Sequence, residues 1–174
     1  WPLKMKVAVN LSAMQFSKGN LPRTVAAALG KAGLMPERLE LEITESLLLQ
    51  EPETTVLMLR QLRAYGIAIS MDDFGIGYSS LSYISKFPFD KVKIDRSFVA
   101  AAGQGTSAAA IIGAVAELCR SLGITTTAEG IETFEQLQQV ISLGCTQGQG
   151  YFFAPPRRVA DIPALLDTWS HSGR

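Results

Sequence analysis

Strand and helix patterns alternate strictly along this 174-residue chain, and inside the strands polar and apolar residues alternate again. The strand segments are KVAVNLS (6–12), LELEITE (39–45), GIAISMDD (66–73), DKVKIDR (90–96), GITTTAEG (123–130) and CTQGQGYFF (145–153). Helical periodicity occupies 21–32, 52–65, 78–86, 105–122 and 132–143, and a last helix near 159–170 follows the sixth strand. Gly33, Gly66, Gly123 and Gly144 stand where helices should end, just ahead of the next strand. This order predicts a parallel sheet covered by helices. No Pro- or Ser-rich linker divides the chain, so a single domain is expected.

The alternation within the strands narrows the choice of sheet. Strands of a doubly wound sheet are covered on both faces and read as nearly continuous apolar runs. Here Leu39, Leu41 and Ile43 interleave with Glu40, Glu42 and Thr44, and Val92 and Ile94 interleave with Lys91, Lys93 and Asp95. One face is fit to pack under helices and the other is polar. A polar face enclosed by helices predicts the interior of a TIM-type (β/α)8 barrel. Six strands are present where such a barrel has eight. The sequence opens on WPLKMKVAVNLS with no initiator Met, which reads as a cut edge with two strands expected upstream.

Barrel enzymes gather their chemistry at the C-terminal ends of the strands. In this chain those ends carry Asn10, Glu42, Asp72 with Asp73, Lys93, Glu129 and Gln149. Each alone has an ordinary explanation as a turn former or a solvated charge. Together, converging acids would raise one another's pKa values unless cations lay between them. Carboxylates plus an Asn carbonyl are hard oxygen donors that suit Mg²⁺ or Mn²⁺. Asp72, nearest the centre, could bridge two ions, the arrangement used for in-line displacement at phosphorus. The loop after Asp73 contains Gly75 and Gly77. Its bland reading is a surface turn, and its sharper one is a mobile connection behind a ligand-bearing strand end.

Composition excludes other roles. Sixteen basic and sixteen acidic residues cancel, so no global field attracts DNA, RNA or a membrane surface. No apolar run is long enough to span a bilayer and no signal-peptide pattern opens the chain. Cys119 and Cys145 form no CxxC pair, and are read as reduced core thiols of a cytoplasmic protein. The lone histidine, His171, is read as outside any site.

The segments VNLSA, LELEITES, DDFGIGYSSL, KVKIDRSF, AEGIET and GQGYFFAPP, in this order, resemble the EAL domain. That bacterial phosphodiesterase family opens cyclic di-GMP to linear pGpG. The resemblance covers practically the whole chain. It implies a TIM-type barrel with an antiparallel first strand, two divalent metals at the rim and a cytoplasmic dinucleotide substrate. Asn10, Glu42 and Asp72 match ligands of one metal, and Asp72 and Asp73 those of the second. Lys93 matches the lysine that holds the nucleophilic water or its hydroxide. Glu129 matches an acid that hydrogen-bonds that water and takes up a proton. Gln149 matches a group orienting water. Glu45 matches the glutamate that pins the loop of Gly75 and Gly77, while Asp95 and Glu132 are similar to residues near the nucleotide. Ca²⁺ is expected to inhibit.

The same resemblance implies a homodimer, expected through about Tyr78 to Phe98, where YISKFPF should expose aromatic residues. Ile76 replaces the family's usual Thr. The Glu-Ala-Leu tripeptide, which contributes a further metal ligand, does not occur in the sequence. The chain is therefore expected to be an N-terminally truncated EAL domain, inert and poorly soluble alone. The rival readings are a degenerate EAL domain acting as a cyclic di-GMP receptor or protein-interaction module, and a sugar-phosphate barrel enzyme. The latter lacks a good phosphate-gripping loop in GQGYFF. DFG at 73–75 has no kinase glycine loop, VAIK lysine or HRD segment to accompany it.

Overall fold

The computed structural model describes residues 5–17, 20–48, 52–75, 84, 87–103 and 106–171. Six parallel strands lie in sequence order: β1 (Val7–Asn10), β2 (Leu39–Thr44), β3 (Ala68–Phe74), β4 (Lys91–Ile94), β5 (Thr125–Ala128) and β6 (Gln147–Gly148). The helices are α1 (Ala13–Ser17), α2 (Leu21–Ala32), α3 (Glu45–Leu48), α4 (Pro52–Ala64), α5 (Arg96–Ala102), α6 (Thr106–Ser121), α7 (Phe134–Ser142) and α8 (Ile162–His171). No described helix is long and apolar enough to cross a membrane.

Local chemistry sets these boundaries. Pro22 stands in the first turn of α2, and Gly33 ends the helix in the left-handed conformation (φ 59°). Gly66, Gly123 and Gly144 likewise have φ of 91°, 70° and 91°, as expected of helix ends. Thr133 and Gln136 form a reciprocal capping box at α7.

The outward face of the sheet is the core. Leu41, Ile43, Ile69, Met71, Val92 and Ile94 are at most 2% exposed and share one cluster with Leu59, Leu62 and Ile112 from the helices. Each such burial contributes about 1.5–3 kcal/mol. Cys119 and Cys145 are free thiols on the helix side, and burial pushes both up to about 11.

The inward face is polar and yet buried at Glu40, Glu42, Ser70, Lys93 and Thr127. A hollow of about 430 Å³ is bounded by Ala8 of β1, Glu42 of β2, Lys93 of β4, Thr127 of β5 and Gln147 of β6. First and last strands face the same space, so the sheet is curled as part of a barrel wall.

Three expectations need correction or limitation. The sixth strand is two residues long, because Gly150 runs so close to the backbone of Ile131 that a Cβ would collide with it, and the chain turns there. Phe87 and Phe89 are each 5% exposed and stacked on one another, so they are core residues and not an aromatic surface. Their burial follows from the apolar wall that β3 and β4 present to this connection. The helix expected at 78–86 lies outside the described residues apart from Ile84, as do Ile76, Gly77 and Tyr78.

Candidate metal centre

Adjacent residues on a regular strand point to opposite faces. Asp72 and Asp73 escape that rule through a bulge. Met71 pairs with Val92 and Phe74 with Ile94, three steps on β3 against two on β4. Asp73 takes up the extra residue with φ 56°, left-handed and uncommon for a side chain other than Gly or Asn. Both carboxylates thereby reach one site. Oxygens of Asp72, Asp73 and Glu129 lie within 4.8 Å of one another.

Lys93, buried at the end of β4, is the electrostatic centre. Its Nζ lies 3.0 Å from Glu42 Oε1, 2.9 Å from Asp72 Oδ1 and 2.7 Å from Glu129 Oε1. Burial pushes this ammonium down, but the hydrogen bonds to Glu129, Asp72 and Glu42 outweigh it and hold the group above the usual lysine range. Burial pushes the Glu129 carboxyl up, opposed by Lys93 and aided by Asp72 and Glu42. Asp73 is raised by burial and by its neighbours Asp72 and Asp95.

Two features show that a cation fits. Asp72 Oδ1 is buried and meets the Lys93 ammonium but no other donor among the described residues. Asn10 Oδ1, at the end of β1, faces only acceptors. Rotating the amide brings its nitrogen to 3.3 Å from both Glu42 Oε2 and Asp72 Oδ2. A cation among these oxygens reconciles the first orientation, and an empty cluster favours the second. The donors are all hard oxygens, matching Mg²⁺ or Mn²⁺.

The remaining expected residues surround this cluster. Beside it opens a cavity of about 710 Å³ lined by Asp73, Asp95, Arg96, Glu129, Glu132 and Tyr151, and Gln149 borders both this cavity and the inner hollow. Asp95 is 7% exposed and caps α5, its Oδ1 accepting from Ser97 N at 2.8 Å and from Ser97 Oγ. Glu132 is exposed and precedes the capping box. Glu45 is buried as the first residue of α3, and the loop it is expected to pin lies outside the described residues. Gly75 has φ 108°, and a Cβ there would strike the Phe98 ring. Arg96 and Tyr151 are cavity residues to which the sequence reading gave no role, though each lies within a motif that it singled out.

A family model described as the EAL domain matches residues 2–156. The chain belongs to the EAL family. MucR of Pseudomonas aeruginosa, a bifunctional diguanylate cyclase/cyclic di-GMP phosphodiesterase, is 41% identical over 160 residues, covering 92% of this chain and 23% of MucR. The cyclic di-GMP phosphodiesterase RocR of the same organism is 38% identical over 152 residues, covering 87% of this chain and 39% of RocR. Among solved structures, the MucR phosphodiesterase in complex with cyclic di-GMP superposes with a TM-score of 0.85 at 39% identity, covering 90% of this chain and 64% of that one. A manganese/cyclic di-GMP complex of Klebsiella pneumoniae BlrP1 gives 0.84 at 33% identity, covering 88% and 40%. EAL structures are TIM-like barrels, and the six strands here match part of that wall. The chain spans between a fifth and two fifths of these two curated relatives.

Proposed function

We propose that this EAL chain carries the catalytic rim of a Mg²⁺- or Mn²⁺-dependent phosphodiesterase that hydrolyses cyclic di-GMP to linear pGpG, lowering that messenger in the bacterial cytoplasm. The observation that carries the reading is the convergence of Glu42, Asp72 and Glu129 on Lys93, with Asn10 beside Glu42 and Asp72, and Asp73 beside Asp72 and Glu129. Asn10, Glu42, Asp72 and Asp73 would hold two divalent ions, with Asp72 shared. Ions bound there supply positive charge for the phosphate and render water nucleophilic near neutral pH. Lys93 stays charged at every physiological pH and stabilises negative charge as it builds on the phosphate oxygens. Glu129, whose raised carboxyl is the natural proton acceptor of the group, takes the proton of the attacking water. Gln149 orients that water, and Asp95 and Glu132 face the nucleotide across the cavity.

We further infer that the active unit includes a Glu-Ala-Leu segment like that of the family, and that it works as a homodimer through the region following Asp73. The test is pGpG formation by the complete natural protein, followed chromatographically with Mg²⁺, Mn²⁺, Ca²⁺ or chelator. Hydrolysis with the first two and none with the last two is expected, because Ca²⁺ prefers bonds of about 2.3–2.6 Å against about 2.0–2.1 Å for Mg²⁺. Tight cyclic di-GMP binding without turnover would replace this reading with a receptor role.

A further inference from the structure

Below the rim the barrel wall carries a second ion pair, its acid buried and its lysine half-buried. Glu40, 3% exposed, sits one inward position before Glu42 on β2. Lys91 sits one inward position before Lys93 on β4. Lys91 Nζ lies 2.8 Å from each oxygen of the Glu40 carboxylate. The two pairs, Glu40–Lys91 and Glu42–Lys93, therefore repeat one another at a spacing of roughly 6.6 Å, two residues along a strand. Both cross over β3, where the small Ser70 stands in register between Glu42 and Lys91. Its Oγ is buried and accepts or donates no hydrogen bond, so it competes with neither pair.

That geometry leaves a wrong pairing close at hand. By strand register Lys91 lies across Ser70 from Glu42, not from Glu40. Strand tilt moves each lysine one inward position toward the floor relative to its acid. A buried charge that loses its partner is strongly driven to find another. Lys91 without Glu40 would turn to Glu42, and Glu40 without Lys91 would draw on Lys93, both within one inward step. Lys6 borders the same hollow and forms no ion pair among the described residues.

We infer that Glu40 and Lys91 are a positioning pair: by neutralising each other at the floor they leave Lys93 and Glu42 free to serve the rim. The inference rests on the proposed function for its kinetic arm only. In the complete natural protein, Lys91→Met and Glu40→Gln singly should lower kcat about tenfold to a hundredfold, the usual consequence of an ångström-scale displacement in a site, with KM little changed. The double variant, which removes both charges, should recover kcat to near the parent level, and Lys91→Arg should retain it. A pair that merely holds the fold together would lower the melting temperature and leave kcat per folded molecule unaltered.

Crystal structures of the variants decide the matter independently of activity. In Lys91→Met, the Lys93 ammonium should move to about 3 Å from Glu40, and in Glu40→Gln the Lys91 ammonium should contact Glu42. Should Lys91→Met fail to fold, the Glu40→Gln structure carries the test alone. Lys93 left on Glu42, Asp72 and Glu129 in the single variants, or single and double variants equally impaired, overturns the inference. A parent protein that fails to hydrolyse cyclic di-GMP overturns the proposed function, while the position of Lys93 still decides this one.

Discussion

The residues of the rim differ in how much they can lose. Asp72 touches Lys93 through a buried oxygen that meets no other donor among the described residues, and its second oxygen comes within 3.3 Å of the Asn10 amide nitrogen once that amide is rotated. Glu132 is exposed at the margin of the cavity. Replacing an outer-shell partner of a metal ligand typically costs tenfold to a hundredfold in affinity, and a shared ligand should cost more. Asp72→Asn is therefore expected to reduce both Mn²⁺ affinity and pGpG formation by more than about a hundredfold, and Glu132→Gln by less than about tenfold. Calorimetric Mn²⁺ titration beside steady-state kinetics checks both, and comparable losses in the two variants would remove Asp72 from its bridging role. The strand ends named these positions as candidates, and the roles expected of them came from the resemblance. That the neighbouring acids Asp72 and Asp73 share one site was expected from the resemblance, but the extra residue on β3 that overrides period-two alternation and turns both to one side was not visible in the local pattern.

At the scale of elements, two glycines that look alike in the sequence have opposite roles. Gly30 lies inside α2 with ordinary helical φ, and nothing stands within 4 Å of the position a Cβ would take. Gly30→Ala should stabilise the protein by about 0.5–1 kcal/mol, since alanine favours helix and the unfolded chain loses freedom. Gly75 comes directly after β3, with φ 108° and the Phe98 ring where a Cβ would stand. Gly75→Ala should destabilise by about 1–3 kcal/mol, and Phe98→Ala added to it should relieve the collision but not the backbone strain. Urea melts of the three variants test both signs. Long periodic helices such as α2, α4 and α6 fall where their patterns placed them. Helix α5 was hidden because Asp95, read as a nucleotide-facing acid, is also its cap. The sixth strand was overestimated because tertiary contact at Gly150, invisible in local pattern, cuts it short.

For the whole molecule, the curled sheet has two outer edges among the described residues, since β1 and β6 each pair on one side. Beside β1 runs an apolar groove of about 300 Å³ that includes Val7, Val9, Leu21, Val25 and Leu41, and Val9 is 41% exposed. Unpaired edges of this kind template association. The 174-residue chain purified by itself is expected to self-associate in multi-angle light scattering and to form no pGpG, and the complete natural protein to run as a discrete dimer with turnover. A monodisperse, active 174-residue chain would contradict this. The distribution of the rim residues has one more consequence. Asn10, Glu42 and Asp72 come from three different strands, so an ion held among them would tie together points distant along the polymer. An ion that binds the native arrangement and not the unfolded chain stabilises the fold by mass action, so its free energy of binding would add to the free energy of folding. Metal occupancy and global order thus become one thermodynamic quantity, and a melting curve followed against Mn²⁺ concentration would serve as a binding isotherm for the whole barrel wall.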